Sequence, residues 1–163
     1  MHRIALGLEY DGAPFSGWQI QASSNFETVQ GKVDEALSKI ADQPIKTFCA
    51  GRTDSGVHAT NQVVHFDSSI NRGSKAWIFG ANSLLPPTIR VRWAQDVDES
   101  FHARFSATAR RYKYLVYCQK IKSPLLWQKA LQTTQELGIS GMNQAALALL
   151  GEHDFSAFRA AGC

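Results

Sequence analysis

The chain has 163 residues, of which 44% are hydrophobic and 19% charged, and its net charge is +3. This composition is typical of a globular protein, and no apolar run reaches the roughly 20 residues of a membrane-spanning helix. A strand-like pattern begins directly after Met1, which leaves no room for a signal peptide. The three cysteines form no CxxC pair, which disfavours a disulfide framework and a zinc site. We therefore expect a cytoplasmic protein with no membrane or metal partner.

Basic residues are concentrated in one stretch of the chain. Eight of the 17 Lys and Arg residues lie between Arg90 and Lys122. Such a concentration is typical of a surface that binds a phosphate backbone. A solvated face explains the same pattern, so charge alone leaves RNA binding open.

Hydrophobic periodicity predicts six elements in the first part of the chain. A period of two predicts strands, and apolar residues three or four apart predict helices. Thr28 suits the N-cap of the first helix, and Pro44 marks its end. The predicted elements are, in order, a strand at 4–10, a helix with apolar side chains from 29 to 40, strands at 45–49 and 62–66, a helix at 75–84 with Trp77, Ala81 and Leu84 on one face, and a strand in which Ile89, Val91 and Trp93 alternate with Arg90 and Arg92.

The order βαββαβ predicts an α+β domain of the ferredoxin-like, RRM-like type, with two helices on one face of an antiparallel sheet. We expect this domain to span residues 1–103. The other face of such a sheet is open, and several RNA-binding domains use it. Many unrelated proteins share the topology, so it indicates function only weakly.

A second unit follows, to which we assign residues 104–163. Alternation of Tyr112, Tyr114 and Val116 predicts a long strand, and an apolar stripe at 142–150 predicts a helix. One strand and one helix cannot enclose a core. We therefore expect this unit either to pack on the first domain or to begin a similar half of a longer protein.

The residues best suited to chemistry lie in a loop between the second and third predicted strands. Gly51 and Gly56 bracket a guanidinium (Arg52) and a carboxylate (Asp54), and an imidazole (His58) follows. In an extended segment, side chains two residues apart leave on the same side, so Arg52 and Asp54 are placed to pair. A paired guanidinium favours the ionised carboxylate that a nucleophile or general base needs. A polar hairpin loop held by an Arg–Asp bridge fits the same residues.

Six motifs in chain order resemble the TruA family of tRNA pseudouridine synthases. They are YDG with FSGWQ at 10–19, TVQG at 28–31, GRTDSGVHA at 51–59, FHARFSA at 101–107, RRYKY at 110–114 and GEHDF at 151–155. The matches run from about residue 3 to residue 159. The chain is therefore similar to this family over nearly its whole length.

The resemblance implies a pseudouridine synthase fold that converts uridine to pseudouridine at positions 38, 39 and 40 of the tRNA anticodon stem-loop, with no cofactor. By its place in the motif, Asp54 is the catalytic aspartate, acting as a nucleophile or as a base. Tyr112 packs on the target base, since an aromatic face suits a flipped uracil. Arg52 pairs with the aspartate and helps to displace the base. His58 either contacts the RNA or holds the loop.

The resemblance also implies partners and further chain. Arg104, Arg110 and Arg111 suit phosphate contacts to tRNA better than catalysis. Members of the family are longer than this chain and act as homodimers. We therefore expect the sequence to be the N-terminal portion of a homodimeric enzyme.

Three hypotheses of different classes compete. The first is an RNA-modifying isomerase, the second a non-catalytic RNA-binding module, and the third a small α+β domain with no RNA partner. Without the resemblance, Tyr112 and Tyr114 are interpreted as ordinary sheet aromatics. A glycosidase normally needs two carboxylates that flank the bond, and the loop offers Asp54 alone.

Overall fold

The computed structural model describes residues 1–21 and 26–158, and the chain divides into two compact units, residues 1–113 and 114–163. The last residues of the expected second half, 159–163 with Cys163, lie outside the described part. Unit 1 carries the glycine-bracketed loop, the three predicted RNA-binding arginines and Tyr112. It therefore contains every predicted site residue.

Unit 1 is a mixed α/β fold built on a four-stranded antiparallel sheet. The strand order is β2-β3-β1-β4, so β1 lies between β3 and β4. The elements are β1 (His2–Tyr10), α1 (Val29–Ala41), β2 (Phe48–Cys49), β3 (Ala59–Ser68), α2 (Gly73–Lys75), a π-helical segment (Ala76–Gly80), α3 (Ala81–Leu84) and β4 (Ile89–Val97).

The core lies between the helices and one face of the sheet. Ile4, Leu6 and Leu8 alternate along β1 and are at most 1% exposed. They form one cluster with Val33 and Leu37 of α1, because residues four apart share a helix face. The predicted alternation of β1 is confirmed.

The predicted start of α1 is confirmed as well. The Thr28 hydroxyl accepts a hydrogen bond from the Gly31 N–H (3.2 Å), which satisfies one of the unpaired donors of the first turn. The helix ends at Ala41, and Asp42 takes a left-handed conformation with φ of 51°. The chain therefore turns before Pro44, as predicted.

β2 is shorter than the predicted strand at 45–49. The N–H and hydroxyl of Thr47 both donate to Oδ1 of Asp34 on α1, at 3.0 and 2.6 Å. Thr47 is thereby bound to the helix, and strand pairing begins only at Phe48. Burial of the Asp34 carboxyl raises its pKa to about 6.

The second helical region has a widened turn that moves its buried face. Trp77 and Ala81 are each 1% exposed, as the sequence predicts. Leu84 is 48% exposed, whereas Leu85 is 7% exposed, so the prediction for Leu84 is wrong. A π-helical turn at Ala76–Gly80 holds more residues than an α-helical turn. Leu85 therefore takes the buried position that was predicted for Leu84.

A β-bulge moves Trp93 away from the core. Leu8 pairs with Val91, but Gly7 pairs with Trp93, so Arg92 is the extra residue. Trp93 therefore lies on the opposite face from Val91, against the expectation of simple alternation. Its ring covers Gly7, where a Cβ atom would lie 2.0 Å from Trp93 Nε1.

The segment after β4 packs on the open face of the sheet around His65. His65 is 2% exposed, and its Nδ1 accepts a hydrogen bond from the Ala103 N–H (3.2 Å). The rings of Phe48, Phe101 and His102 surround it at centroid distances of 5.2, 6.1 and 4.6 Å. Burial lowers the pKa of His65 to about 4, so the ring is neutral near pH 7. These contacts join the residues around 103 to the first sheet.

The described part of unit 2, residues 114–158, contains a short parallel sheet, one α-helix and short 3-10 turns. β5 (Val116–Cys118) pairs with β6 (Leu131–Thr133). The predicted long strand from Tyr112 is wrong, because β6 supplies only three pairing residues. The helix α4 (Ile139–Ala146) begins earlier than predicted and continues as a 3-10 turn at Leu147–Leu149. No helix in the described ranges is long and apolar enough to span a membrane.

Candidate active site

The loop predicted to carry the chemistry connects β2 to β3. Ala50 extends the strand ladder by one bond, from its N–H to the Val63 carbonyl (2.8 Å). In the turn that follows, the Val57 N–H donates to the Asp54 carbonyl (3.2 Å), and Gly56 has a φ of +78° that favours glycine. This turn fixes the backbone of Asp54 and leaves its side chain exposed.

The loop is also bound to the segment that follows β1. The Trp18 N–H donates to the Thr53 carbonyl (2.9 Å), and the Gly56 N–H donates to the Phe15 carbonyl (3.3 Å). Trp18 and Phe15 are 2% and 4% exposed and belong to the core cluster. The loop is therefore attached to the hydrophobic core of the unit.

Two glycines permit this close approach. A Cβ atom at Gly12 would lie 2.0 Å from the Val57 carbonyl oxygen, and one at Gly17 would lie 2.8 Å from the Thr53 carbonyl oxygen. Gly17 also has a φ of +87°, which strains any residue with a side chain. Gly12 and Gly17 therefore allow the segment after β1 to lie close to the loop, in addition to shaping their own turn.

Two buried polar side chains that sequence reasoning did not single out support the same loop. The Tyr10 hydroxyl lies 2.8 Å from the Thr53 hydroxyl oxygen, and the Gln62 amide donates to the Gly51 carbonyl. Burial raises the pKa of Tyr10, so its phenol stays protonated and can donate. One pattern would have revealed Gln62, since it is a polar residue in phase with the buried face of a predicted strand.

His58 lies against the turn that follows β1. Its Nδ1 is 2.9 Å from Oδ1 of Asp11 and 3.2 Å from the Gly12 nitrogen. The same Asp11 oxygen accepts a hydrogen bond from the Ala13 N–H (3.1 Å). Of the two roles that the sequence left open for His58, these contacts favour holding the loop.

The Arg52 and Asp54 side chains are both exposed and do not pair with each other. Within the described ranges, no ion pair or hydrogen bond joins them. The loop therefore does not depend on an Arg–Asp bridge, and both charged groups remain accessible to a ligand.

The RRYKY motif reaches the loop from the other side. Arg110 donates to the Ala50 carbonyl from Nε (3.0 Å) and Nη2 (2.7 Å). Tyr112 is 74% exposed, and its hydroxyl would be 3.8 Å from a Cβ atom at Gly51. The structure thus brings an exposed aromatic ring next to the loop that carries Asp54.

The two other predicted RNA-binding arginines are exposed. The Arg104 guanidinium lies over the Phe105 ring, 5.5 Å from its centroid, which is within range of a cation–π contact. Arg111 makes no hydrogen bond or ion pair with other residues in the described part of the chain. Both charges are available at the surface.

These features define a mixed α/β protein with a polar site on a rigidly held loop. The family described as tRNA pseudouridine synthase matches residues 8–106, which include the end of β1, the loop and the segment around His65. The chain therefore belongs to the tRNA pseudouridine synthase family.

Curated relatives agree over almost the whole chain. Proteins named tRNA pseudouridine synthase A from Photorhabdus laumondii, Shewanella sp. strain MR-4 and Pasteurella multocida are each 53% identical to it over 161 residues. The alignments cover 99% of this chain but only 60 to 61% of each relative. The chain therefore spans about three fifths of the length of these relatives.

Proposed function

We propose that this chain carries the catalytic loop of an enzyme that isomerises uridine to pseudouridine in tRNA, with Asp54 as the catalytic carboxylate. One observation carries the proposal. Backbone bonds on both sides of Asp54, from Trp18 to Thr53 and from Val57 to Asp54, fix the loop while the carboxylate stays exposed. A carboxylate held in place in this way needs little reorganisation when charge develops on a substrate.

The proposed reaction rearranges one nucleotide. The bond between uracil N1 and ribose C1′ breaks, the base turns, and a bond forms between C5 and C1′. The proton on C5 goes to water, and N1 gains a proton. Asp54 either attacks the substrate or removes the proton, and in both cases its negative charge stabilises the positive charge that develops on the sugar. The reaction needs no cofactor.

The surrounding side chains supply the contacts that such a substrate needs. Tyr112 presents an exposed ring beside the loop, suited to stacking on a flipped uracil. Arg52 helps to displace the base, and Arg104 and Arg111 contact phosphates. The target is the anticodon stem-loop, at positions 38, 39 and 40.

The remaining expectations belong to the same proposal. The strand order β2-β3-β1-β4 in a βαββαβ chain supports a ferredoxin-like, RRM-like first half at residues 1–103, followed from 104 by the beginning of a similar half of a pseudouridine synthase fold. The enzyme acts in the cytoplasm as a homodimer.

Release of tritium from C5 tests the reaction directly. The chain is mixed with tRNA transcript that carries tritium at uridine C5, and the label in water is counted. We expect release from the wild type and none above background from Asp54→Asn, since the amide is neutral and neither attacks nor accepts a proton.

Asp96→Asn is the matched control. Asp96 is an exposed carboxylate on β4 that accepts a hydrogen bond from the Asn71 side chain (3.1 Å), far in the sequence from the loop, and we expect it to release tritium like the wild type. Equal release from the wild type and from Asp54→Asn would contradict the assigned role of Asp54. Salt-dependent tRNA binding without any release would favour the non-catalytic RNA-binding module.

A further inference from the structure

We propose that Arg110 is a positioning residue, whose guanidinium holds the backbone at the start of the catalytic loop. The catalytic role of this loop rests on the proposed function, whereas the contacts of Arg110 are present in the structure whatever the function is. Nε and Nη2 both donate to the Ala50 carbonyl, at 3.0 and 2.7 Å, and Nη2 also donates to the Arg104 carbonyl, at 3.0 Å. Arg110 thus joins the backbone at Arg104 to the backbone at Ala50, which lies 60 residues from Arg110 in the sequence.

The backbone at Gly51 is shaped for this contact. A Cβ atom there would lie 3.3 Å from Arg110 Nε and 3.4 Å from its Cδ, which is tight against both atoms. The absence of a side chain at Gly51 therefore lets the Arg110 side chain approach the backbone closely. On the next peptide, the Gly51 carbonyl accepts a hydrogen bond from Gln62. Side chains from two different segments thus hold the two successive carbonyls that precede Arg52.

The geometry distinguishes this role from a phosphate contact. A guanidinium has five N–H donors in a planar fork, and three of those of Arg110 face the carbonyls of Ala50 and Arg104. A lysine ammonium is a compact charge that cannot reproduce such a fork. A phosphate contact, in contrast, tolerates lysine because it depends mainly on charge.

The contact also places the tyrosine. Tyr112 follows Arg110 by two residues, and its hydroxyl lies on the Gly51 side of the loop. By fixing its own segment to Ala50, Arg110 sets the distance between the loop that carries Asp54 and the Tyr112 hydroxyl beside Gly51. A displacement of about 1 Å in such a pair is enough to slow catalysis on the order of a hundredfold.

Hydrogen exchange of backbone amides tests the contact in the folded chain without RNA. In Arg110→Ala and Arg110→Lys alike, we expect the amides of Ala50, Trp18 and Val57 to exchange about tenfold faster, because hydrogen bonds from a charged donor are lost. The amides of α1 report global unfolding and should keep their rates. Arg111→Ala is the matched control and should leave the loop amides protected.

Kinetics give a second, independent result. Arg110→Ala and Arg110→Lys should both lower kcat for tritium release about ten- to a hundredfold with little change in tRNA affinity. Arg111→Ala should instead weaken tRNA binding. It should also reduce the slope of the logarithm of the binding constant against the logarithm of the salt concentration by about one.

Two results would overturn the positioning role. One is unchanged exchange of the loop amides in Arg110→Ala. The other is restoration by Arg110→Lys of protection or turnover, together with loss of tRNA affinity in Arg110→Ala, which would make Arg110 a phosphate contact. If the wild type releases no tritium, this chain does not catalyse the reaction by itself, whereas the exchange measurement still decides whether Arg110 holds the loop.

Discussion

The two units of the chain bury their side chains to very different extents. In unit 1, Leu6, Leu8, Val33 and Leu37 have no exposed surface, and they join the sheet to α1. In unit 2, no residue is buried within the part that the structure describes, and Leu149 is 56% exposed although it lies on a predicted apolar stripe.

The difference shows where the rigidity of the candidate site comes from. A two-stranded sheet and a helix of eight residues are too small to be stable alone, whereas a four-stranded sheet with packed helices has its own core. Asp54 is attached to that core through Trp18 and Phe15. We therefore infer that unit 1 folds and holds the loop without help from unit 2.

Truncation of a core leucine should produce the largest effect. Leu6→Ala leaves a cavity and should lower the free energy of unfolding by about 2–5 kcal/mol. Leu149→Ala removes an exposed side chain and should change it by no more than about 0.5 kcal/mol. Urea unfolding followed by tryptophan fluorescence measures both, since Trp18 and Trp77 are buried in unit 1. Equal losses would break the contrast between the units.

Substitution of Gly17, which packs against the loop at Thr53, should have the next largest effect. Gly17→Ala combines backbone strain with a contact on the Thr53 carbonyl, and we expect a loss of about 1–3 kcal/mol together with lower tritium release. Gly56→Ala is the matched control, because its φ is also positive, at +78°, but nothing lies within 4 Å of its Cβ position. The difference between the two variants measures the docking of the loop. If both lose the same stability and activity, backbone strain alone is responsible.

The pH dependence of stability should also originate in unit 1, and Asp34 makes one contribution. Burial raises the pKa of its carboxyl from 3.8 to about 6, so the folded state binds the proton more tightly. The stabilisation is complete below about pH 3.8 and is lost as the pH rises through about 6. Asp34→Asn keeps an acceptor for Thr47 but cannot titrate, so stability between these values should rise more with pH than in the wild type. Unfolding by urea at a series of pH values measures this, and parallel curves would contradict it.

His65 should make the opposite contribution over a similar range. Burial lowers its pKa from 6.5 to about 4, so the unfolded state binds more protons between these values and stability rises with pH. His65→Asn retains an acceptor for the Ala103 N–H, and it should flatten this rise. In the double variant with Asp34→Asn, the two changes should add, because the groups lie on opposite faces of the sheet. A strongly non-additive result would show that the two sites are coupled.

Local patterns in the sequence were sufficient for the elements that local chemistry controls. Alternation along β1 identifies Ile4, Leu6 and Leu8 as core residues, and Thr28 marks the start of α1. The glycine-bracketed loop was predicted as the site that carries chemistry, because Gly51 and Gly56 bracket a guanidinium and a carboxylate and an imidazole follows.

Where neighbours distant in sequence compete for a residue, the local pattern failed. Thr47 was predicted in a strand, but it binds the Asp34 carboxylate instead. Trp93 was expected to follow Val91 into the core, but a bulge opposite Gly7 reverses its direction. Both errors have the same origin. The alternating pattern of a strand shows which residues share a face, but it does not show where a distant side chain or a bulge interrupts the strand pairing.

The residue types and the order of elements are encoded locally, because caps, turns and periodicity involve residues a few positions apart. They are enough to identify the loop, whereas the resemblance of its motif to the tRNA pseudouridine synthases nominates Asp54. The support of that loop involves Gln62, which lies 11 residues from Gly51, and also Tyr10 and Arg110, which lie 43 and 60 residues from their partners Thr53 and Ala50. The roles of Gln62 and Arg110 depend on which carbonyls remain unpaired after folding, and only the folded chain reveals those carbonyls.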